Sequence, residues 1–318
     1  MQIGMIGLGR MGANIARRLI RHGHEIVAYD QAAAAVEELM RDGVSAARTI
    51  EHVVSALSPP RAVWVMLPAG EATEATIEQL AGLLKTGDAV IDGGNTFWRD
   101  DLRRASALKR RGIHHLDVGT SGGILGREHG YCLMIGGDGE VVRQLRPVFA
   151  ALAPGGGGGG SSATQGWLHV GPHGAGHFVK MIHNGIEYGL MQAYAEGFQI
   201  LKETDAAALP EAERFNLDIA AIAEVWRHGS IVSSRLLDVI GAALSNDAAL
   251  DGFSGVVDDT GEGRWTVQTA IERAIPAMAL TTALNARFRS RRAHNFADKM
   301  ISAMRRGFGG HTESKGKS

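Results

Sequence analysis

The sequence has little cysteine, no long hydrophobic run and almost no net charge, and each absence excludes a class of protein. Its one cysteine, Cys132, cannot form an intramolecular disulfide, which favours a reducing compartment such as the cytoplasm. No run of about eighteen apolar residues is present, so we expect no membrane span. A net charge of -1 over 318 residues gives no indication of a nucleic-acid or membrane-surface partner.

Metal-ligand patterns and targeting segments are also missing. No group of cysteine and histidine residues has the spacing of a zinc site, so no metal is expected. Residues 2–6 already have a strand pattern, so no signal peptide is expected. The composition is otherwise that of a soluble globular protein, with 45% apolar and 21% charged residues, and a length of 318 residues favours two domains.

A glycine motif follows the first strand. Gly7, Gly9 and Gly12 form the pattern G-x-G-x-x-G between the strand at residues 2–6 and a helix pattern at residues 14–21. In this strand–turn–helix setting the glycines permit a tight turn, close approach of a pyrophosphate and close helix–strand packing. The motif therefore predicts a dinucleotide whose phosphates lie at the helix N-terminus.

An acidic residue stands where the adenosine ribose of such a dinucleotide would bind. The second strand pattern, residues 25–29, ends in Asp30, about twenty residues beyond the motif. Residues 31–34 contain no arginine to receive a 2′-phosphate, and the Asp30 carboxylate would repel one. NAD is therefore favoured over NADP.

Strand and helix patterns alternate through the first half of the chain. After the first two strands, strand-like runs occupy residues 62–67, 89–92 and 115–118. Alternation of this kind predicts right-handed crossovers and an α/β, Rossmann-like, doubly wound parallel sheet. Ligands bind such sheets at the carboxyl ends of the strands, and glycine-rich loops follow these runs at residues 67–71, 92–95 and 119–123.

The second half reads as an all-α domain whose first helix carries a polar stripe. Helix patterns cover residues 178–202, 217–227, 234–244, 269–279 and 280–304. On the first of them, one face at i, i+3, i+4, i+7 and i+8 presents Lys180, His183, Asn184, Glu187 and Tyr188. The other positions are largely apolar, so we expect this helix to be buried and the stripe to form an active site. The alternative is a solvated groove between helices.

These patterns give a division into two domains. The dinucleotide-binding domain is expected at residues 1–170, with a flexible glycine-rich loop at residues 153–166. An all-helical substrate and oligomerisation domain is expected at residues 171–311, followed by a disordered tail at residues 312–318. The apolar faces of several amphipathic helices favour self-association.

Five segments together resemble motifs of the decarboxylating 6-phosphogluconate dehydrogenases. They are residues 7–12, 66–71, 92–95, 121–123 and 174–188. The chain is similar to the short, NAD-preferring form of that family, in which the helical domain is not duplicated. The resemblance implies oxidative decarboxylation of 6-phosphogluconate, a phosphosugar acid, to ribulose 5-phosphate and CO2 in the pentose phosphate pathway.

The resemblance also implies a role for each residue that matches a family motif. Lys180 matches the general base and Glu187 the general acid. The implied substrate-binding residues are Asn95, Ser121, Gly122, Gly123, His183, Asn184, Tyr188, Arg264, Arg287, Arg305 and His311. The implied cofactor-binding residues are Gly7, Leu8, Gly9, Arg10, Met11, Gly12, Asp30, Leu67, Pro68, Ala69 and Asn95.

The C-terminal part of the resemblance concerns a neighbouring subunit. Residues 305–311 look like the family's tail motif, in which an arginine and a histidine enter the site of the adjacent chain. Arg305 and His311 are therefore expected to complete the site across a homodimer or homotetramer.

Arg264 stands where the family usually has a lysine, and its planar guanidinium suits a phosphate.

Two other functions remain open from the sequence. Another β-hydroxyacid dehydrogenase, of the 3-hydroxyisobutyrate or tartronate semialdehyde type, would share the glycine motif, the Ser-Gly-Gly loop and the lysine. Such an enzyme would not need Glu187, Tyr188, Arg264, Arg287 or the tail from Arg305 to His311. A non-catalytic NAD-binding sensor would bind the cofactor without turning over a sugar acid.

Overall fold

The chain divides into two compact units, the first comprising Met1–Asn184 and the second beginning at Gly185. The structure, a computed structural model, describes residues 1–155, 160–293 and 296–309, without the side chains of residues 306–309. The division falls inside a long helix, because the first turns of that helix pack on the sheet of the first unit. The domain boundary expected at residues 170–171 stays a prediction.

The first unit contains one eight-stranded sheet. Its strands are β1 (Gln2–Ile6), β2 (Glu25–Tyr29), β3 (Ser45–Ala46), β4 (Ala62–Val65), β5 (Ala89–Asp92), β6 (His114–Ser121), β7 (Cys132–Gly137) and β8 (Trp167–Gly171). They lie in the order β3-β2-β1-β4-β5-β6-β7-β8, and every neighbouring pair is parallel except β6 and β7. The predicted α/β class with a mainly parallel, doubly wound sheet is confirmed.

Strands β7 and β8 were missed by the sequence patterns, and they run opposite to the other six. The chain passes from β6 to β7 through residues 122–131. A connection this short suits an antiparallel pair, since a parallel crossover takes about a dozen residues or more.

Nine helices accompany the sheet in the described part of the first unit. They are α1 (Arg10–Arg21), α2 (Ala33–Met40), α3 (Ile50–Ala56), α4 (Glu71–Leu83), α5 (Trp98–Lys109), α6 (Gly126–His129), α7 (Gly139–Gln144), α8 (Arg146–Leu152) and α9 (Ser162–Gln165). Trp64 of β4 packs in one core with α1 and α8, whereas Val63 and Val65 pack in a second core with α3 and α4. Successive side chains of a strand point to opposite faces, so this sheet is covered on both sides.

Part of the stretch 153–166, expected to be a flexible loop, is regular. Ser162–Gln165 form α9, and the Gly155 N–H donates a hydrogen bond of 3.3 Å to the Gln165 carbonyl. Residues 156–159 lie outside the described residues. The sequence pattern missed α9 because four residues are too few to show helical periodicity.

Arg18, on α1, is a buried cation that joins three helices. Its side chain donates hydrogen bonds to the carbonyl oxygens of Ala151, Leu152, Ala153, Arg127 and Glu128. These carbonyls lie at or near the C-terminal ends of α8 and α6, where helix carbonyls lack partners within the helix. Arg18 therefore fastens the ends of α6 and α8 to α1.

The described part of the second unit is helical and contains no strand, as predicted. Helix α10 (Ala175–Lys202) carries the polar stripe, and it is followed by α11 (Ile219–Arg227), α12 (Arg235–Asn246), α13 (Glu262–Glu272), α14 (Met278–Ser290) and α15 (Phe296–Gly309). The predicted helix at residues 269–279 is wrong, because α13 ends at Glu272 and Pro276 precedes α14. Proline lacks an N–H and disfavours a helical conformation of the residue before it. The predicted helix at 280–304 is likewise two helices.

Helix α10 is less buried than its composition predicts. Ile186 is 51% exposed, Leu190 48% and Met191 41%. The expectation of a helix buried on most sides is therefore wrong for a single chain.

No helix in the described part of the chain is both long and apolar enough to cross a membrane.

Candidate active site

The glycine motif forms a tight turn between β1 and α1. Gly7 has a φ of +91°, and a Cβ there would lie 2.5 Å from the Met66 carbonyl oxygen. A Cβ on Gly12 would overlap the Gly7 carbonyl oxygen. A Cβ on Gly9, in contrast, would meet no described atom within 4 Å. The space beside the first turn of α1 is thus open to a pyrophosphate.

Asp30 follows β2 and holds the same turn. Its Oδ2 accepts a hydrogen bond of 2.6 Å from the Leu8 N–H, and its Oδ1 accepts one of 2.8 Å from the Ala32 N–H. The two bonds fix the orientation of the carboxylate. The Leu8 side chain is buried, and Arg10, the first residue of α1, is exposed. These residues fit a dinucleotide whose ribose hydroxyls meet Asp30.

The loops after β4 and β5 pack against each other. A Cβ on Gly94 would lie 2.7 Å from the Leu67 carbonyl oxygen, so only glycine permits this approach. Asp92 accepts hydrogen bonds from the Gly94 N–H at 3.0 Å and from the Thr96 hydroxyl at 2.7 Å. The predicted cofactor residues Pro68 and Ala69 are exposed in the first loop, and Asn95 is exposed in the second. The structure therefore brings the two predicted loops together at the carboxyl edge of the sheet.

Lys180 lies over β6. A Cβ on Gly119 would come within 3.0 Å of Lys180 Cγ and of the Gly176 carbonyl oxygen, and closer still to Lys180 Cβ. The absence of a side chain at Gly119 allows α10 to contact the strand directly. Lys180 is 7% exposed, which is rare for a lysine unless it has partners. Lys180, the first residue of the predicted polar stripe, is thus buried between α10 and β6.

Three polar side chains continue from Lys180. Its ammonium donates a hydrogen bond to Asn184 Oδ1, and His183 Nδ1 lies 3.0 Å from the same oxygen. The other ring nitrogen of His183 lies 3.2 Å from the Ser121 hydroxyl, at the end of β6. Four residues named by the resemblance therefore form one connected group, able to hold hydroxyl and carboxylate groups of a ligand beside an amine.

The start of α10 is anchored to the sheet. Asp117 accepts hydrogen bonds from the backbone N–H groups of Gly174, at 2.7 Å, and His177, at 3.0 Å. The His177 ring lies 2.7 Å from Asp101. Burial opposes the charged ring, but the Asp101 carboxylate outweighs it and raises the pKa of His177 to about 9. Sequence reasoning missed Asp101, Asp117 and His177, whose pairing depends on contacts between distant segments.

In the second unit, three predicted phosphate contacts lie together. The Arg287 guanidinium carbon lies 3.6 Å from the centre of the Tyr188 ring, and its NH1 donates a hydrogen bond of 2.7 Å to the Asp258 carbonyl. A Cβ on Gly263 would lie 2.5 Å from Tyr188 Cε2, so this glycine lets α13 approach the ring. The next residue, Arg264, follows at the start of α13. Two cations and a phenol hydroxyl are suitable donors for a phosphate.

Two residues of this group were missed by sequence reasoning. Asp259 accepts hydrogen bonds from Arg264 Nε at 2.6 Å and from Arg264 NH2 at 3.1 Å. Arg291 NH2 donates to the same carboxylate at 2.9 Å. The hydrogen bond with Asp259 raises the pKa of Arg264. Asp259 is five residues from Arg264 but outside its helix, so no periodic pattern indicates the pair.

For the remaining predicted residues the structure gives only position and exposure. Glu187 is partly buried on α10, about two helical turns after Lys180. Gly122 and Gly123 are exposed after β6, with φ angles of +132° and +55°. Arg305 is exposed on α15, and His311 lies outside the described residues.

Comparison with known proteins places both halves of the chain in one group. Residues 2–168 match the family described as the NAD binding domain of 6-phosphogluconate dehydrogenase. Residues 176–208 and 206–316 match the family described as the C-terminal domain of 6-phosphogluconate dehydrogenase.

Individual relatives agree. The chain is 39% identical, over 98% of both sequences, to the NAD(+)-dependent, decarboxylating 6-phosphogluconate dehydrogenase of Haloferax volcanii. It is 36% identical to the NAD(+)-dependent, decarboxylating enzyme of Bacillus subtilis, over 91% of this chain and 61% of that one. Among solved structures, it is similar to the 6-phosphogluconate dehydrogenase of Plasmodium falciparum, with a TM-score of 0.78 and 26% identity, over 100% of this chain and 67% of that one. The cofactor of the Plasmodium protein is NADP+.

Proposed function

The chain belongs to the 6-phosphogluconate dehydrogenase family, and from this premise we propose that it oxidises and decarboxylates 6-phospho-D-gluconate to D-ribulose 5-phosphate and CO2, with reduction of NAD. The observation that carries the proposal is the buried Lys180 joined to Asn184, His183 and Ser121. A buried amine with hydroxyl-binding neighbours is suited to moving a proton to and from a sugar oxygen.

Lys180 is the general base in this proposal. As the neutral amine, it takes the proton of the C3 hydroxyl while the C3 hydrogen leaves as hydride. NAD, when bound, supplies the acceptor of that hydride. Lys180, now protonated, donates a hydrogen bond to the new C3 carbonyl, which draws electrons from the breaking C1–C2 bond as CO2 leaves. It then returns its proton to the C3 oxygen, giving an enediol.

Glu187 is the general acid that completes the reaction. The enediol needs a proton at the carbon that becomes C1 of ribulose 5-phosphate, and a protonated carboxyl is a suitable donor. As that carbon is protonated, the neutral Lys180 amine takes the proton back from the C3 hydroxyl, so that the C2 ketone of ribulose 5-phosphate forms. Glu187 follows Lys180 by seven residues on α10, about two helical turns. Ser121, His183 and Asn184 hold hydroxyl and carboxylate groups of the substrate in this scheme, and Tyr188, Arg264 and Arg287 receive its phosphate.

The preference for NAD is proposed from Asp30. Its carboxylate is fixed by two backbone N–H groups, so it cannot readily turn away from a 2′-phosphate. A fixed negative charge at the adenosine ribose favours the hydroxyl of NAD, to which it can accept a hydrogen bond, over the phosphate of NADP.

A symmetric oligomer is also part of the proposal, with Arg305 and His311 of one chain completing the site of the next. The exposed apolar side chains of α10, including Ile186 and Leu190, support association. Mixing two inactive variants, Lys180→Met and His311→Ala, tests it. After dissociation and reassembly, mixed dimers would contain one intact site, so about a quarter of wild-type activity should return at equal amounts. If mixed oligomers formed but no activity returned, donation of residues across subunits would be contradicted.

The enzymatic proposal is tested by incubating the protein with 6-phosphogluconate and NAD while following nicotinamide reduction and CO2 release together. Lys180→Met should lower kcat by about 10²–10⁴-fold with NAD binding unchanged. Lys202→Met is the matched control, since Lys202 is exposed at the end of the same helix. A loss below about tenfold would contradict the base assignment. Reduction without CO2, or turnover of unphosphorylated 3-hydroxyisobutyrate alone, would favour a simple β-hydroxyacid dehydrogenase.

A further inference from the structure

Two histidines and an aspartate meet beneath the start of α10, apart from the group around Lys180. His115 and Asp117 are two residues apart on β6, so their side chains point to the same face. His173 lies in the loop between β8 and α10. One ring nitrogen of each histidine and one oxygen of Asp117 lie within 4.8 Å of one another. Three groups that are common metal ligands therefore converge.

The histidines of this group lack partners in the described part of the chain. His115 is 1% exposed, and neither of its ring nitrogens has a hydrogen-bond partner there. His173 Nδ1 is also buried and unpartnered. A buried polar atom without a partner costs about 1–3 kcal/mol, so several in one place indicate something that satisfies them together.

Each imidazole has a carboxylate near its other nitrogen. His115 Nε2 lies 3.8 Å from Asp101 Oδ1, and His173 Nε2 lies 3.6 Å from Asp138 Oδ1. Histidines that bind metals usually donate the N–H of the second nitrogen to a carboxylate, which fixes the ring. Nδ1, on the opposite side of each ring, is buried and unpartnered in the described part of the chain, and in His115 Nε2 is unpartnered as well. Each ring therefore has a carboxylate close to Nε2, at a separation slightly longer than a hydrogen bond.

A neighbouring group of similar composition lacks these features. Asp92, Asp101 and His177 also lie within 4.8 Å of one another. However, Arg104 NH1 already lies 3.0 Å from Asp92, and Asp101 pairs with His177 at 2.7 Å. A cation there would face the guanidinium and compete with an existing ion pair. The group of His115, Asp117 and His173 is the better metal site.

We propose that His115, Asp117 and His173 bind one divalent transition metal ion, Zn²⁺ being the probe of choice, through both Nδ1 atoms and one carboxylate oxygen. Two imidazoles and a carboxylate suit Zn²⁺. The two carboxylate oxygens of Asp117 accept hydrogen bonds from the backbone N–H groups of Gly174 and His177. Each oxygen has a second lone pair, which can bind a metal. Ligand atoms around a tetrahedral Zn²⁺ lie roughly 3.4 Å apart, so the site closes by rotation of side chains, chiefly the more exposed His173.

The ion would join β6 to the loop that leads into α10. Asp117 already anchors that loop through backbone hydrogen bonds, and a metal would add a third attachment through His173. Because no substrate group is needed, the site is structural, and it is independent of the proposed reaction. Metal binding is then expected to appear as stability, since an ion that binds only the folded chain shifts the folding equilibrium.

The test uses full-length protein without a histidine tag, stripped with a chelator and dialysed against Zn²⁺. About one equivalent of zinc should remain per chain, and Tm should rise by about 5–10 °C at roughly 100 times the Kd. His173→Ala should lose both effects, whereas His129→Ala should keep both, because His129 is an exposed residue at the end of α6. Co²⁺ added to the wild-type chain should give the visible bands of a tetrahedral site, a readout that needs no variant. Less than about 0.2 equivalents of zinc in the wild type, or equal zinc in His173→Ala, would overturn the proposal and leave internal water as the partner of these atoms.

Discussion

Replacing Gly119 by alanine should separate the catalytic helix from the sheet. The new methyl would lie within 3.0 Å of Lys180 Cγ and the Gly176 carbonyl oxygen, and closer still to Lys180 Cβ. Ordinary carbon contacts are about 3.5–4.0 Å, so relief of the closest of these contacts requires β6 and α10 to move apart by roughly 1 Å or more. Overpacking of this kind costs about 1–3 kcal/mol of unfolding free energy. A displacement of about 1 Å at a catalytic group can cost ~10²-fold in rate.

The Gly119→Ala variant therefore combines moderate destabilisation with a large loss of turnover. Urea unfolding gives the free energy, steady-state kinetics give kcat and KM, and a cofactor titration should give an unchanged Kd for NAD. Gly82→Ala is the control, because Gly82 is helical and a Cβ there meets no described atom within 4 Å. That change should be neutral or stabilising by up to about 1 kcal/mol. If Gly119→Ala retained wild-type stability and kcat, the packing of Lys180 against β6 would not control catalysis.

Two further predictions concern charges in the first unit. Asp30→Ser removes the fixed carboxylate. The ratio of kcat/KM for NAD to kcat/KM for NADP should therefore fall by about tenfold or more, which corresponds to about 1.4 kcal/mol. An unchanged ratio would show that Asp30 does not select the cofactor. The Arg103 guanidinium lowers the pKa of Glu74 to about 2, so Glu74 stabilises the fold above about pH 4.5, and that contribution is lost as pH falls toward 2. Because Glu74 is 39% exposed, Glu74→Gln should cost at most about 1 kcal/mol at pH 7, and wild type and variant should converge in thermal unfolding at low pH. A difference that stayed at its pH 7 value down to pH 2 would contradict the ion-pair explanation.

Local patterns predicted the features that depend on neighbouring residues. The turn at Gly7, the acid at Asp30 and the polar face from Lys180 to Tyr188 all follow from spacing within one segment. The α/β class and the family also followed. These signals are visible because period and turn chemistry are properties of a short stretch of chain.

Contacts between distant segments could not be predicted in this way. Asp101 meets His177 across 76 residues, and Arg291 meets Asp259 across 32. In the sequence, His115 and Asp117 show only the ordinary alternation of a strand. Their possible role becomes visible only in the folded chain, where His173 lies beside them. The zinc patterns sought in the sequence are those of local loops, so a site assembled from a strand and a remote loop gives no such signal.

The hydrogen bonds of Arg18 make the chain between Pro154 and Gly160 a permissive place for insertion. Arg18 holds the end of α8 on one side of this stretch, and the hydrogen bond from Gly155 to Gln165 closes it at the base. Residues inserted after Gly155 therefore need not disturb α1 or the turn that precedes it, since lengthening a connection between two fixed points of the chain costs little. A peptide label placed there should leave cofactor affinity unchanged, which makes this stretch a practical attachment point for following the protein in solution.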